Sequence, residues 1–255
     1  MNFKKIVAAL SIFALTAVGF AGCGEEEKQV KADDLKIGTS LDFLPFEFRD
    51  SEEKEYQGFD MDIIYAIGRE LGRPVQVGSI NFDGLIPSLQ AGNVDVVIAA
   101  MTINDERKKL VAFSDPYYES GLTIMVRSNE SEINSFEDLA GKKIGVIVSS
   151  TAFDMAKTIP DAQVFEYENS TDSFPALKSR EVDALINDRP VNDYAIATNQ
   201  VTAVKILPDL LTNESYGIAV RKDDTEMLQK INEALKKLHD TGEYDQIYSK
   251  WFGTR

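Results

Sequence analysis

Residues 94–118, VDVVIAAMTINDERKKLVAFSDPYY, contain the residue types and spacing best suited to binding an anion. The apolar run at 94–99 predicts a buried strand, and the polar residues at 104–106 are typical of a helix start. Arg107 lies in the first turn of that helix, where free backbone N–H groups and the helix dipole favour negative charge. Its planar guanidinium can bind a carboxylate or a phosphate through two hydrogen bonds, so we expect an anion site at this strand end. The alternative is a surface arginine paired with one of the two acidic residues before it.

A second candidate is Asp188, which follows another predicted strand at 184–187. A carboxylate here and the guanidinium of Arg107 would together suit a zwitterion, since each charge-assisted hydrogen bond contributes about 1.5–3 kcal/mol and a charge buried alone is costly. Phe43 and Phe82 lie near strand ends and could enclose an apolar or planar side chain. The alternatives are a helix cap for Asp188 and plain core positions for the two phenylalanines.

Signals for catalysis are few. The chain has one histidine, His239, in a charged helix where a surface position is expected, and one cysteine, Cys23. That pair cannot form a zinc-type ligand cluster, and no GxSxG, P-loop or GxGxxG motif is present. We therefore predict no metal, no cofactor and no enzymatic activity.

Predicted strands and helices alternate along the chain in two series, which favours an α/β fold with mostly parallel sheets covered by helices. The first series has strands at 35–40, 75–77 and 94–99 and helices at 58–71 and 82–90. The second series has strands at 143–148, 163–167 and 184–187 and helices at 135–139, 150–158, 171–179 and 190–198. A helix at 225–239 and another ending at Lys250 follow. Two series rather than one long series predict two lobes.

Two segments that resemble each other, 119–127 and 214–221, flank the second series. Each has a polar start, a glycine, an apolar strand and an arginine. We expect paired crossover strands that form a hinge, with lobe 1 formed by 35–118 plus 216–255 and lobe 2 by 119–215. The alternative is two unrelated strands.

The first residues describe an export signal. Two lysines precede about 15 apolar residues and then Ala-Gly-Cys, a pattern typical of secretion and too short for a comfortable membrane span. Cys23 directly after Ala-Gly resembles a bacterial lipoprotein cleavage site, which implies a signal peptide over 1–22, lipidation of Cys23 and a flexible acidic tether over 23–34. The alternative is ordinary secretion with a free cysteine.

The chain is strongly acidic, with a formal net charge of −15 over 255 residues. Residues 1–22 contain two lysines and no acidic residue, so the remainder has a net charge of −17. This charge argues against nucleic acid as a partner, because binding requires neutralisation of phosphates. The region after residue 34 is long enough for one large domain or two lobes.

Nearly all of residues 35–253 resembles the polar amino-acid-binding proteins of bacterial ABC importers, the glutamine/histidine/cystine-binding group with the type II periplasmic-binding fold. Taken together, the matching segments are highly specific. They are IGT at 37–39, PFEF at 45–48, GFDMD at 58–62, FDGLIP at 82–87, 102–107, FSDPYY at 113–118, YGIA at 216–219 and WFG at 251–253.

The resemblance implies a role for each matching residue. Arg107 and the backbone at Thr102 would bind the α-carboxylate of an L-amino acid. Asp188 would bind the α-ammonium, and Ala100 would contribute backbone groups there. Phe43 and Phe82 would flank the side chain.

Three positions depart from the family pattern. The second lobe usually has a Gly-Thr turn at the carboxylate, but this chain reads VSST there, so Ser150 and Thr151 carry over without the glycine. Ser40 stands where members that bind cationic or amide side chains often have an acid, and Ile147 stands where glutamine binders have lysine. Both changes favour a polar, uncharged ligand side chain, although Asp42 is close enough in sequence to leave a cationic ligand open.

The resemblance implies a lipid-anchored, extracytoplasmic and monomeric protein that captures an L-amino acid by hinge closure and delivers it to a permease. One alternative is an enzyme similar to the cyclohexadienyl or arogenate dehydratases. It would need an additional acid in the cleft, and no unassigned Glu or His stands at an evident pocket position. The other alternative is a ligand sensor that signals through a partner.

Overall fold

The computed structural model describes residues 33–41, 43–49 and 55–253. The strands are β1 Leu35–Thr39, β2 Phe48–Arg49, β3 Tyr56–Gln57, β4 Val75–Ser79, β5 Val96–Val97, β6 Val111–Phe113, β7 Tyr118–Ser120, β8 Leu122–Arg127, β9 Lys143–Ile147, β10 Gln163–Tyr167, β11 Ala184–Asp188, β12 Val204–Ile206, β13 Glu214–Tyr216 and β14 Ala219–Arg221. The helices are α1 Phe59–Leu71, α2 Phe82–Gln90, α3 Asp105–Leu110, α4 Thr151–Ala156, α5 Ser170–Ser179, α6 Arg189–Ala197, α7 Thr225–Thr241 and α8 Glu243–Phe252. A 3-10 helix covers Glu137–Leu139.

The first sheet has the strand order β4-β1-β5-β14-β6, and β14 is its one antiparallel strand. Helices cover both faces of this sheet. Successive residues of an extended chain point to opposite sides, so apolar residues along one strand pack against helices on both faces. Val96 and Ile98 pack in the cluster that includes α1 and α7, whereas Val97 and Ala99 pack with α2. A sheet that is buried on both faces explains the continuous apolar run at 94–99.

The second sheet repeats this plan. Its strand order is β10-β9-β11-β8-β12, and β8 is the antiparallel strand. Ile124 and Val126 of β8 pack in one cluster with α4, and Met125 between them packs in the other with α5. In both sheets the antiparallel strand is the one that directly follows a crossover.

The two crossover strands pair with each other. β7 and β13 form a two-stranded antiparallel sheet in which Tyr118 pairs with Tyr216 and Ser120 pairs with Glu214. The α/β fold class, with two lobes of mostly parallel sheet joined by two strands, is thereby confirmed. The lobe boundaries stay predictions. The predicted signal peptide, Cys23 and the tether up to residue 32 lie outside the described residues.

The main differences from the predicted elements occur where the chain leaves a sheet. The strand predicted at 94–99 has ladder pairing only at Val96–Val97, because the chain turns away towards Ala100, which has a φ of 44°. The helix predicted at 135–139 is one 3-10 turn, and β4 extends two residues further than predicted. The sequence analysis does not predict the short strands β2, β3, β6 and β12. The other helices and strands differ from prediction mainly at their ends.

Close approach of the two connecting segments requires a glycine at residue 121. A Cβ atom on Gly121 would lie 2.3 Å from the carbonyl oxygen of Thr212, so the crossover segments would have to separate. We expect Gly121→Ala to lower the free energy of unfolding by about 2 kcal/mol or more. Gly78→Ala is the matched control, since its Cβ would meet only the Ile37 carbonyl oxygen at 3.7 Å.

Urea unfolding of both variants tests this expectation. Equal losses for Gly121→Ala and Gly78→Ala would show that the close approach of the segments is not what limits the substitution.

Candidate functional site

One cavity is lined by residues of both lobes, near the carboxyl ends of strands in the two sheets. Open α/β sheets bind ligands at such positions. All nine residues predicted to contact a ligand line this cavity: Ser40, Phe43, Phe82, Ala100, Thr102, Arg107, Ser150, Thr151 and Asp188. The structure therefore brings the predicted site together, and contact with a ligand remains a prediction. Asp42 lies outside the described residues.

Arg107 is held in place by the start of α3. The side chain of Asn104 caps this helix and accepts a hydrogen bond from the Arg107 backbone N–H at 2.8 Å. The guanidinium donates to the carbonyl oxygen of Thr102 at 2.8 Å and to that of Ser149, in the second lobe, at 3.2 Å. It also lies over the Phe82 ring, 5.2 Å from the centroid. Burial lowers the pKa of Arg107, and the guanidinium keeps its charge because arginine is not deprotonated in proteins.

These contacts differ from the alternative interpretation, in which Arg107 is a surface residue paired with a neighbouring acid. Glu106 forms its ion pair with Lys109 instead, while Arg107 points towards the cavity. A guanidinium with one edge fixed by backbone carbonyls can present its remaining N–H groups to a ligand carboxylate.

Asp188 lies at the N-cap position of α6, but its side chain makes no capping hydrogen bond. One carboxylate oxygen accepts from the Tyr216 hydroxyl at 2.5 Å and from the Ser120 hydroxyl at 3.3 Å. Burial raises the pKa of Asp188 to about 7, opposed by the hydrogen bond from Tyr216. A carboxylate in this environment gains from a cationic partner, because burial without one is costly.

Glu47 also lines the cavity, which the sequence analysis did not expect. It is 1% exposed, and neither carboxylate oxygen has a hydrogen-bond donor among the described residues. Burial and the neighbouring Asp60 hold the pKa of Glu47 well above its usual range. The PFEF motif marked Glu47 as a family position, but sequence alone could not show that it is buried beside a second acid.

Asp60 supports the cavity wall from behind. Its carboxylate accepts from the Ala100 backbone N–H at 2.7 Å and from the Tyr117 hydroxyl at 2.9 Å. Burial raises the pKa of Asp60 to about 7. The bond to Ala100 stabilises a left-handed backbone that an L-residue adopts at a cost of about 1–2 kcal/mol. It also uses the Ala100 N–H, so only the carbonyl of Ala100 is left for a ligand.

The turn that lacks the family's glycine has a left-handed residue in its place. Ser149 has a φ of 58°, and the next residue, Ser150, caps α4 by accepting from the Phe153 backbone N–H at 3.1 Å. The Ser150 hydroxyl donates to the Ile147 carbonyl at 2.7 Å. The backbone therefore makes the turn despite the missing glycine.

The sequence profile of the bacterial extracellular solute-binding proteins, family 3, matches residues 35–254. The chain belongs to this family. The ABC transporter glutamine-binding protein GlnH of Bacillus subtilis (strain 168) is 36% identical over 97% of this chain and 97% of its own length. An ancestral arginine-binding protein bound to arginine is 44% identical, with a TM-score of 0.83 over 87% of this chain and 99% of that one.

A third similar protein is the ancestral amino acid-binding protein AncCDT-1, described as a precursor of cyclohexadienyl dehydratase. It is 40% identical, with a TM-score of 0.80 over 86% of this chain and 96% of that one. The resemblance inferred from the sequence motifs is confirmed by the family match and by relatives named as amino-acid-binding proteins of ABC transporters.

Two further acidic residues of this solute-binding protein were missed from the sequence. Glu168 lines the cavity, and its carboxylate accepts from the Asn81 side chain at 3.1 Å. Glu214, in β13, accepts from the hydroxyls of Thr102 and Thr151. Glu168 directly follows β10, so its place at a strand's carboxyl end could have identified it. Glu214 stands at the polar start of the repeated segment 214–221, which gives no sign of a contact with cavity residues.

The part of the chain that the structure describes has neither a metal-ligand cluster nor a membrane-spanning helix. No group of three or more His, Cys, Asp and Glu side chains is placed there to hold a metal ion. Within the same ranges, no helix combines the length and apolar character needed to cross a membrane. His239 is exposed and stacks on Tyr244 with ring centroids 4.0 Å apart.

Titration of Asp188 should make the stability of the ligand-free protein depend on pH. Its folded-state pKa of about 7 lies above the ordinary value of 3.8, so the folded state retains a proton that the unfolded chain has lost. The resulting stability is present below pH 4 and is lost as pH rises through 7, at up to about 1.4 kcal/mol per pH unit. We expect the wild type to lose more stability between pH 5 and 8 than Asp188→Asn.

Chemical unfolding at several pH values measures this difference. Asp193→Asn is the control, because Asp193 is exposed on the same helix and pairs with Arg189. Parallel pH profiles for the wild type and Asp188→Asn would contradict the assignment.

Proposed function

We propose that this protein captures an L-amino acid between its lobes and delivers it to the permease of an ABC importer. The observation that carries the proposal is the placement of Arg107 and Asp188, one from each lobe, on the same cavity. A cation and an anion facing one space from two sides match the carboxylate and ammonium of a zwitterion. The names of the relatives support the same class of ligand.

The α-carboxylate binds Arg107 and the backbone N–H of Thr102 in this proposal. The α-ammonium binds Asp188 and the carbonyl of Ala100, whose N–H is already bound to Asp60. Because the ligand connects both lobes, it stabilises the closed state more than the open one. Micromolar binding requires about 8 kcal/mol, which two charge-assisted contacts with the buried aromatic surface can supply.

The side-chain pocket favours a ligand that donates hydrogen bonds. Phe43 and Phe82 provide flat apolar walls, while Glu47 and Glu168 provide carboxylate acceptors. The sequence predicts an uncharged polar side chain, and an amide meets that description. A guanidinium is the second choice, since the two carboxylates would also compensate its charge.

The same proposal includes the localisation of the protein. Residues 1–22 form a lipoprotein signal peptide, Cys23 carries lipid, and 23–34 tether an extracytoplasmic domain to the membrane. The domain acts as a monomer without a cofactor. Its lobes are 35–118 plus 216–255 and 119–215, and rotation occurs about the paired crossover strands.

A dehydratase is the second candidate because Glu47 is a buried acid on the cavity. A carboxyl group with a raised pKa can act as a general acid, and one similar protein is a dehydratase precursor. Binding is the better-supported function, since the relatives are named as amino-acid-binding proteins and the paired placement of Arg107 and Asp188 requires no proton from Glu47.

A thermal-shift screen against the twenty L-amino acids, cystine and prephenate tests the proposal. Ligand at 100 times its dissociation constant adds about 2.7 kcal/mol of stability, so we expect a raised Tm with one or a few polar amino acids. Arg107→Ala and Asp188→Ala should abolish the shift. Their matched controls are Arg189→Ala and Asp193→Ala, which remove an exposed ion pair near the site.

Comparison of the shifts with glutamine and arginine decides whether the pocket prefers an amide or a guanidinium side chain. Turnover of prephenate or arogenate would support the enzyme. The shift should be larger at pH 8 than at pH 6, because Asp188 must lose its proton to bind an ammonium. The absence of any amino-acid shift would reject the proposal.

A further inference from the structure

Glu214 lies on the crossover strand β13 and is 8% exposed. Its carboxylate accepts hydrogen bonds from the hydroxyl groups of three threonines. One oxygen accepts from Thr102 at 2.6 Å and from Thr151 at 3.0 Å, and the other accepts from Thr212 at 3.0 Å. A buried carboxylate that accepts three hydrogen bonds from side chains is part of the internal hydrogen-bond network and is not a solvated surface group.

The two threonines that share one oxygen belong to different lobes. Thr102 follows β5 of the first sheet, and Thr151 is the first residue of α4, which packs on the second sheet. Both line the ligand cavity. We infer that Glu214 is a positioning residue that binds one cavity threonine from each lobe and so stabilises the closed arrangement of the site.

Two hydrogen bonds between residues on opposite sides of the cavity are more exposed. Arg107 donates to the Ser149 carbonyl at 3.2 Å, and Asn81 donates to Glu168 at 3.1 Å. Exposed hydrogen bonds exchange readily with water and contribute little net stability. The bonds at Glu214, one buried and one part-buried, therefore carry more of the closure than these two exposed bonds, alongside the buried bond from Tyr216 to Asp188.

The same contacts set the polarity of the site. A hydroxyl has one proton, and Thr102 and Thr151 both donate it to Glu214. Their oxygens can then only accept from a ligand. A ligand carboxylate at this wall therefore binds the guanidinium of Arg107 and backbone N–H groups rather than the two hydroxyls.

This inference rests on the proposed function for its ligand, and a double-mutant cycle tests it. Glu214→Ala and Thr151→Val should each weaken binding of the amino acid found in the screen, by about 10- to 100-fold, mainly through faster dissociation. The double variant should be no weaker than the weaker single variant, because both remove the same contact.

Two matched variants separate this contact from charge and from local packing. Glu214→Gln keeps an oxygen acceptor and should stay within about threefold of the wild-type affinity. Thr212→Val removes the donor to the other oxygen and the acceptor of the Leu122 backbone N–H without touching a cavity residue. It should lower stability but leave affinity unchanged. Wild-type affinity and dissociation rate in both Glu214→Ala and Thr151→Val would overturn the inference.

Small-angle X-ray scattering gives a readout that does not depend on the ligand. Without ligand, we expect a larger radius of gyration for Glu214→Ala and Thr151→Val than for the wild type and Glu214→Gln. If no amino acid binds the wild type, the proposed function fails, and the scattering still decides whether Glu214 holds the lobes together. Identical curves for all variants would then reject the inference.

Discussion

Burial of carboxyl groups around one cavity is the constraint on which much of the structure depends. Glu47, Asp60 and Asp188 are all at most 7% exposed, and burial raises the pKa of each. Arg107 is the one cation lining this cavity among the described residues. The pocket therefore has an excess of acidic groups, and a ligand with an ammonium group restores the balance.

The charged groups of the cavity are positioned by the ends of strands and the starts of helices. β5 leads to Ala100 and then to α3 with Arg107, while β11 ends at Asp188 directly before α6. Each charged group is thus fixed by a regular structure behind it. The left-handed backbone at Ala100 shows the cost of this arrangement, and the hydrogen bond to Asp60 offsets that cost.

Much of this could be predicted because it depends on local patterns. Arg107 and Asp188 were found from their positions after apolar runs, and the crossover strands from their similar sequences. The alternation of strands and helices was sufficient for the fold class, since parallel sheets covered on both faces have continuous apolar strands.

The remaining features depend on contacts between distant parts of the chain. Glu47 and Asp60 are 13 positions apart and become neighbours only after folding. Glu214 looked like the polar start of a strand, although it receives hydroxyls from residues 63 and 112 positions away. The left-handed conformation of Ser149 replaces a glycine, so the residue type gave no sign of it.

The place of β14 in the first sheet has a consequence for the order of folding. This strand lies between β5 and β6, yet it comes about 100 residues after them in the chain. The first sheet stays divided until Ala219–Arg221 has been synthesised, whereas the second sheet is formed from the continuous stretch between β8 and β12. The second lobe can therefore complete its core first, and closing the long loop makes the first lobe the slower one to form.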